Sequence, residues 1–253
     1  MLRIRFFSCG RIQYDPCSFE PDIPRGSQVE GPIPFYLLEH PSGLALVDTG
    51  CHPDVVHSPE AAWGGLAKAF YPNVTTADLP MAQLRRAGID PDSIPLVICS
   101  HLHMDHAGCN QFFPKARFLL HEAEWNTVRN PAMEGRGYFR KDWDHALRYE
   151  LVQDGHDVFG DGSAILRHWP GHTAGHMGLV LNLTDRGTVV LAIDAALVLG
   201  NLAGAIPRNT MDPDQFGQSL AAIRAYQAGG ATVICGHDPK QFAELLAPPA
   251  IWC

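Results

Sequence analysis

The stretch SHLHMDHAG, residues 100–108, decides how the rest of this 253-residue chain is interpreted. It places four potential metal ligands within six residues, directly after the apolar run Leu96–Cys99. Side chains two residues apart in an extended chain point to the same side, so His101 and His103 can face one point. If the chain then turns into a helix, Asp105 and His106 can face a neighbouring point. One short stretch can therefore serve two metal ions.

Three further apolar runs are each followed within a few residues by a His or an Asp that could bind metal. The ligand-type residues that follow them are His172, with His176 four residues later, Asp194 and His237. Ligands in α/β folds gather beyond the carboxyl ends of strands. Burying so many polar groups is costly unless something pairs with them. Because zinc favours nitrogen and oxygen ligands, the sequence predicts a zinc site built from His and Asp.

The remaining pattern predicts an α/β fold with layered sheets. Eight short apolar runs predict buried strands: residues 36–38, 44–47, 96–99, 117–120, 164–166, 177–181, 189–193 and 232–235. Met81–Ala87 predicts a helix, and so does Asp212–Ala228, where Asp212 can cap and Pro213 suits the first turn. Strands that alternate with helices favour the α/β class.

Two segments do not fit that alternation. Cys9–Gly31 is rich in proline, glycine and charge and predicts a loop, while Asn126–Gly162 predicts a helical insertion over the site. The composition shows no linker, so we expect one domain over residues 1–253.

Composition excludes several classes of protein. The net charge is −8, whereas a nucleic-acid binder usually carries a basic face. No apolar run approaches the roughly 20 residues that cross a bilayer, and the first residues lack the apolar stretch of a secretory signal. The seven cysteines are scattered and form no C-x-x-C pair, which favours reduced thiols in the cytoplasm. A monomer or a homodimer is expected.

The ligand pattern resembles the metallo-β-lactamase superfamily. Its H-x-H-x-D-H signature matches residues 101–106, and its early D-T-G turn matches residues 48–50, where Asp48 supports the site without binding metal. The family's further ligands match three more positions: His172, Asp194 and His237. The resemblance implies a four-layer αβ/βα sandwich with the metals at one edge of its two sheets.

The resemblance also assigns the ligands of two zinc ions, with iron, cobalt or manganese as alternatives. It implies two sets of three: His101, His103 and His172 for one ion, and Asp105, His106 and His237 for the other. Asp194 would bridge them, because a carboxylate spans the separation of about 3.5–4 Å that is typical of two-metal hydrolases. His176 is expected to support the site from behind the ligands.

Within the superfamily, the chain looks most like the N-acyl-homoserine lactone lactonases, which are quorum-quenching enzymes. Similar motifs are residues 101–110, P-G-H-T at 170–173, Asp194-Ala195 and G-H-D at 236–238. The chain departs from these lactonases at one position. They usually carry a tyrosine three residues after the bridging aspartate, where it contacts the lactone carbonyl, and this chain has Leu197 at that position. Three tyrosines are candidates to replace its hydroxyl: Tyr14, Tyr36 and Tyr138.

The activity implied is ring opening of a lactone ester by a hydroxide that bridges the metals. Asp105 would accept a proton and return it to the leaving alkoxide. The expected partner is a small lactone or ester, and candidate pocket walls are Met104, Leu197, Trp63 and Phe70. The alternatives are hydrolysis of another small ester, thioester or phosphodiester with the same site, and a non-catalytic metal-stabilised binding protein.

Overall fold

The computed structural model describes residues 1–247 and 250–253, which fold into twelve strands and seven α-helices. The strands are β1 Arg3–Tyr14, β2 Val29–His40, β3 Gly43–Val47, β4 Phe70–Asn73, β5 Leu96–Ile98, β6 Arg117–His121, β7 Arg148–Val152, β8 Ala164–His168, β9 Met177–Leu183, β10 Gly187–Ile193, β11 Thr232–Cys235 and β12 Ile251–Trp252. The helices are α1 Pro59–Trp63, α2 Pro80–Arg86, α3 Glu122–Val128, α4 Arg140–Trp143, α5 Leu199–Leu202, α6 Pro213–Ala228 and α7 Pro239–Leu245.

The strands form two sheets. The larger has the order β12-β1-β2-β3-β5-β6-β7, with β4 paired to β1, and the smaller has the order β11-β10-β9-β8. Strands β3, β5, β6 and β7 are parallel to one another in the larger sheet, and β10 and β11 are parallel to each other in the smaller. Parallel strands end at the same edge, so the loops that follow them are brought together there.

Alternation along the strands separates the layers of the fold. Leu191 and Ile193 of β10 are buried in the core between the two sheets. Val190 and Ala192, on the opposite face of the same strand, pack with Phe216 of α6. Strand β5 alternates in the same way between the inter-sheet core and the helices outside the larger sheet. The predicted four-layer αβ/βα sandwich of the α/β class is confirmed.

The strand predictions from apolar runs are also confirmed, since seven of the eight lie wholly in a strand and the eighth, residues 96–99, extends one residue beyond β5. The two predicted helices correspond to α2 and α6, and Asp212 caps α6 by accepting a hydrogen bond from the backbone N of Gln215. No helix in the described part of the chain is long and apolar enough to span a bilayer.

The prediction of a loop over Cys9–Gly31 is wrong at both ends. Strand β1 continues to Tyr14 and β2 begins at Val29, so only the residues between them form the loop. In β1, Ile12 and Tyr14 are buried while the polar residues between and beside them face solvent. This is the two-residue period of a half-buried strand, which the nearby Gly and Pro obscure.

The prediction of a helical insertion over Asn126–Gly162 is wrong about its helical character, although Met133 and residues 135–137 of this segment do line the open cavity at the site. The segment contains the end of α3, the four-residue α4 and strand β7, joined by turns. Its aromatic side chains do not repeat at helical spacing. Tyr138 and Trp143 instead fill the core outside the larger sheet.

The D-T-G turn packs directly against the H-x-H-x-D-H stretch. The backbone N of Thr49 donates to the carbonyl oxygen of His106, and the backbone N of Gly108 donates to that of Gly50, both at 2.7 Å. A Cβ at residue 108 would overlap the backbone of Cys51 and His52. Glycine is therefore required there by close approach of two backbones.

We expect Gly108→Ala to lower the free energy of unfolding by about 1–3 kcal/mol, because the added methyl forces the two loops apart. Gly217→Ala is the matched control, since a Cβ there meets nothing within 4 Å and the position is helical. The control should raise stability by about 0.5–1 kcal/mol. Urea unfolding of both variants measures this, and an equal change in the two would contradict the packing argument.

Asp142 in α4 is a buried carboxyl group whose two oxygens have no hydrogen-bond partner among the described residues. Burial raises its pKa from 3.8 to about 8. Between these values the folded protein binds this proton more tightly than the unfolded chain does. The stability contributed by the protonated group is therefore lost as the pH rises from about 4 to about 8.

Asp142→Asn should remove that loss, so the variant gains stability over the wild type as the pH rises through this window. The gain is at most about 1.4 kcal/mol per pH unit. Thermal unfolding across this pH range tests it, with Asp144→Asn, an exposed carboxylate two residues away, as the control. A stability difference that does not change with pH would contradict the prediction.

Candidate metal centre

Seven ligand-type side chains converge at the edge of the two sheets where β5, β8, β10 and β11 end. They form what we name the His/Asp cluster: His101, His103, Asp105, His106, His172, Asp194 and His237. All are buried except His103, which is half-buried. Every member comes from a loop that directly follows a strand. Because these strands end at the same edge, their loops meet there although they are distant in sequence.

The first group in the cluster consists of three ring nitrogens. His103 Nδ1 lies 3.1 Å from His101 Nε2 and 3.0 Å from His172 Nε2. Burial, followed by the neighbouring histidines, lowers the pKa of both His101 and His103 well below the usual value. These imidazoles are therefore neutral, which is the form that binds a metal ion.

The second group consists of one carboxylate and two imidazoles. Asp105 Oδ2 lies 3.8 Å from both His106 Nε2 and His237 Nε2. Burial alone would lower the pKa of each histidine, but the nearby carboxylates outweigh it, and Asp194 is the largest of these. The pKa values of His106 and His237 are therefore raised, because the neighbouring carboxylates favour a positive charge on these two imidazoles.

Asp194 lies between the two groups and presents one oxygen to each. Its Oδ2 is 3.1 Å from His172 Nε2, and its Oδ1 is 3.2 Å from His237 Nε2 and 3.4 Å from His106 Nε2. Burial would raise the pKa of this carboxyl group, but the three histidines hold it well below its usual range. The carboxylate is thus charged and has imidazole nitrogens of both groups beside it.

Hydrogen bonds behind the cluster fix which ring nitrogen faces inward. His237 Nδ1 lies 2.7 Å from the carbonyl oxygen of Pro32, which can only accept, so this nitrogen carries the proton. His106 Nδ1 donates to Asp48 Oδ2 at 2.8 Å. Nε2 of each histidine therefore faces the cluster, and in the neutral imidazole its lone pair is available to a metal ion.

Asp48 occupies the supporting position that the sequence predicts. It also accepts hydrogen bonds from the backbone N and the Oγ of Ser100, at 2.8 and 2.7 Å. Since that hydroxyl donates to Asp48, its oxygen is free to accept from His101 Nδ1, which lies 3.0 Å away. Asp48 has φ 59°, an unusual conformation for a residue other than glycine, which indicates that its position is held by these contacts.

His176 supports the cluster and is not one of the converging ligands. Its Nε2 accepts a hydrogen bond from the backbone N of Asp194 at 3.1 Å. Burial, and then His172, lower the pKa of His176 to about 3, so it stays neutral. It therefore positions the bridging aspartate by its backbone.

Glu124 is a supporting residue that the sequence analysis missed. This fully buried carboxylate accepts from the backbone N of Leu102 at 3.0 Å and, on its other oxygen, from Thr173 Oγ1 at 2.7 Å and the backbone N of Gly175 at 3.1 Å. It thus joins the loop of the first two histidines to the loop of His172. A signal existed in the sequence, since Glu124 follows the apolar run of β6 as the other functional residues follow theirs.

The cluster fits divalent metal ions. His106 Nε2 and Asp194 Oδ1 are buried without a hydrogen-bond partner in the described chain, and such groups are costly unless something else satisfies them. Three sets of three donors lie within 4.8 Å of one another: His101 with His103 and His172, His101 with His106 and Asp194, and Asp105 with His106 and His237. Imidazole and carboxylate are the ligands that zinc and related metals prefer.

The cluster forms the floor of an open cavity of about 520 Å³. The apolar part of its wall consists of Ile12, Phe19, Leu66, Phe70, Met104, Met133, Leu197 and Met211. Three of the four pocket residues expected from sequence, Met104, Leu197 and Phe70, are therefore in the wall. Trp63 is outside it, because its side chain is buried in the core beyond the larger sheet.

None of the three candidate tyrosines is among the cavity's lining residues in the described structure. Tyr14 and Tyr36 are buried in the cores on either side of the larger sheet. Tyr138 packs its ring against His103, with centroids 4.6 Å apart, and its hydroxyl donates to Glu124 at 2.9 Å. Tyr138 therefore supports the cluster by contacting His103 and Glu124. Burial raises the pKa of its hydroxyl group.

Comparison with known proteins gives a consistent result. The profile of the metallo-beta-lactamase superfamily matches residues 29–237. The N-acyl homoserine lactonase AttM of Azorhizobium caulinodans is 31% identical over 99% of this chain and 98% of its own, and an N-acyl homoserine lactonase of Bacillus cereus is 29% identical over 94% of both. A structure of an N-acyl homoserine lactone hydrolase, with the product N-hexanoyl-L-homoserine bound at its catalytic metal center, superimposes with a TM-score of 0.88 and 26% identity over 98% of this chain and 97% of that one. The chain therefore belongs to the metallo-β-lactamase superfamily, and the relatives that it resembles over its whole length are N-acyl homoserine lactonases.

Proposed function

We propose that this protein is a metal-dependent lactonase that opens the ester ring of N-acyl-homoserine lactones. The observation that carries the proposal is the placement of Asp194, with one carboxylate oxygen towards each of two groups of ligand-type side chains, at the floor of an open cavity. The relatives named N-acyl homoserine lactonase support the choice of substrate. A closed structural zinc site would not open onto such a cavity.

The cluster would hold two zinc ions. His101, His103 and His172 would hold the first, Asp105, His106 and His237 would hold the second, and Asp194 would contribute an oxygen to each. When bound, the two ions supply Lewis-acid activation of a water molecule and of the ester carbonyl.

The protein's own residues orient and protonate the reacting groups. Asp48 and Glu124 hold the ligand loops in place through seven hydrogen bonds, so little reorganisation is needed during the reaction. Asp105 is 8% exposed and lines the cavity, so its carboxylate can accept a proton from the attacking water and return it to the ring oxygen as the ring opens. The apolar wall of the cavity receives the acyl chain.

Leu197 gives a second candidate, hydrolysis of a different small ester at the same site. Its side chain lines the cavity, and its carbonyl oxygen accepts from the backbone N of His237 at 2.6 Å. An aliphatic side chain offers no hydrogen bond to a lactone carbonyl. A panel of homoserine lactones, simple γ-lactones, thioesters and phosphodiesters separates the two candidates by relative kcat/KM.

We expect His106→Ala and Asp194→Asn to lose most lactonase activity, at least about 100-fold, and to bind less than the two zinc ions of the wild type. Each change removes a donor that nothing nearby replaces. Metal analysis and lactone turnover measure the two effects, with chelation and zinc addition as the reversal on the wild type. His57→Ala, at an exposed histidine away from the cluster, is the control. Full metal content in both variants would refute the ligand assignment.

Leu197→Tyr should raise kcat on N-acyl-homoserine lactones by up to about tenfold, because a phenolic hydroxyl at this wall can donate to the lactone carbonyl as its negative charge develops. Leu197→Phe is the matched control, since it adds the same ring without the hydroxyl. Steady-state kinetics of both variants gives the comparison. Equal kcat values for the two would show that no productive hydrogen bond is missing in the wild type.

A further inference from the structure

His103 differs from the other histidines of the His/Asp cluster in the ring nitrogen that it presents. Its Nδ1 lies 3.1 Å from His101 Nε2 and 3.0 Å from His172 Nε2, so Nδ1 faces the cluster. The other four histidines, His101, His106, His172 and His237, all present Nε2. Because Nδ1 is bonded directly to Cγ, the Cδ2 and Nε2 side of the His103 ring is turned away from the cluster.

The outer side of the His103 ring has no hydrogen bond within the described structure, since both bonds of this ring involve Nδ1. His106 and His237 are different, because the outer nitrogen of each is bonded, to Asp48 and to the carbonyl oxygen of Pro32. Metal-binding histidines almost always have such a partner, and it sets the orientation of the ring. The orientation of His103 must therefore be held by packing.

Gly137 and Tyr138 supply that packing. A Cβ at Gly137 would lie 2.7 Å from His103 Cδ2 and 2.9 Å from its Nε2, which is closer than packed atoms approach each other. The ring of Tyr138 lies against the same imidazole, with centroids 4.6 Å apart. The backbone N of Met104 donates to the carbonyl oxygen of Gly137 at 2.9 Å, so the two stretches of chain cannot separate without losing a hydrogen bond.

We propose that Gly137 is a positioning residue for the first metal ion. Its missing side chain, together with the ring of Tyr138, holds the imidazole of His103 with Nδ1 towards the point that it shares with His101 and His172. A methyl group at residue 137 would displace this ring, and the displaced nitrogen would no longer meet the other two donors. The inference rests on the metal centre of the proposed function and adds to it the turn that contacts His103 from outside.

Two substitutions in the same turn separate contact with His103 from backbone strain. Gly135 and Gly137 have φ of 77° and 91°, so alanine is strained at both positions. A Cβ at Gly135 meets nothing within 4 Å, whereas one at Gly137 meets His103. We expect Gly137→Ala to weaken the binding of one of the two zinc ions about 10–100-fold, and Gly135→Ala to stay within about twofold of the wild type. Competition with a chromophoric chelator measures both affinities.

Cobalt(II) in place of zinc reports the coordination itself, because its visible absorption depends on the number and geometry of the donors. The bands of the cobalt-loaded protein should change in Gly137→Ala and should match the wild type in Gly135→Ala. Urea unfolding of the metal-free proteins shows whether the two variants are folded and equally stable. A difference in metal binding at equal stability would assign the effect to His103.

A second pair of variants tests the other contact of the ring and leaves both glycines in place. Tyr138→Phe and Tyr138→Leu both lose the hydroxyl bond to Glu124, but only phenylalanine keeps an aromatic ring against His103. We expect Tyr138→Leu to bind the weaker zinc ion about tenfold less tightly than Tyr138→Phe. Equal affinities in this pair would overturn the role given to the ring.

The remaining outcomes distinguish the inference from the proposed function, since none of these measurements needs a lactone. Equal metal affinities and cobalt spectra in Gly137→Ala and Gly135→Ala would overturn the positioning role, and an equal loss in both would assign it to backbone strain. A wild type that binds two zinc ions but opens no N-acyl-homoserine lactone would overturn the proposed lactonase and leave the positioning role in place. A wild type that binds no metal would overturn both.

Discussion

The carboxylate of Asp194 is the constraint on which the rest of the site depends. It is buried, charged, and has histidine nitrogens 3.1–3.4 Å from its two oxygens. A charged carboxylate in a protein interior is expensive unless opposite charge compensates it. The surrounding imidazoles compensate only in part, since those of His101 and His103 are neutral. Bound metal cations would satisfy both oxygens and the converging lone pairs.

Much of the surrounding structure holds that arrangement in place. Asp48 joins the end of β3 to Ser100 and His106, and Glu124 joins the loop after β5 to the loop after β8. These buried carboxylates are fully used as hydrogen-bond acceptors, which is how such groups are tolerated in a core. Glycine contributes by close approach, because a side chain at Gly175 would overlap the backbone of Glu124. The ligand loops are thus fixed by contacts with one another as well as by the sheets.

The substrate side of the cavity has a different origin. Much of its wall comes from the loop after β1, the residues just before β4, the turn before α4 and the segment between α5 and α6. None of these segments contributes to the His/Asp cluster. They can therefore vary in size and polarity without changing the ligand-type residues of the floor.

The sequence by itself determined eight of the twelve described strands, the helix α6 and all seven members of the cluster, because each of these leaves a local mark. Apolar runs mark buried strands, and a His or Asp after a strand end marks the shared edge. Only the tertiary structure decided the role of Glu124, the strand character of residues 9–14, and the position of Tyr138 behind His103 and not in the cavity. These depend on which groups from distant parts of the chain meet in space. A hydrogen bond between residues 50 positions apart has no local pattern, since its partners are selected by packing and not by spacing.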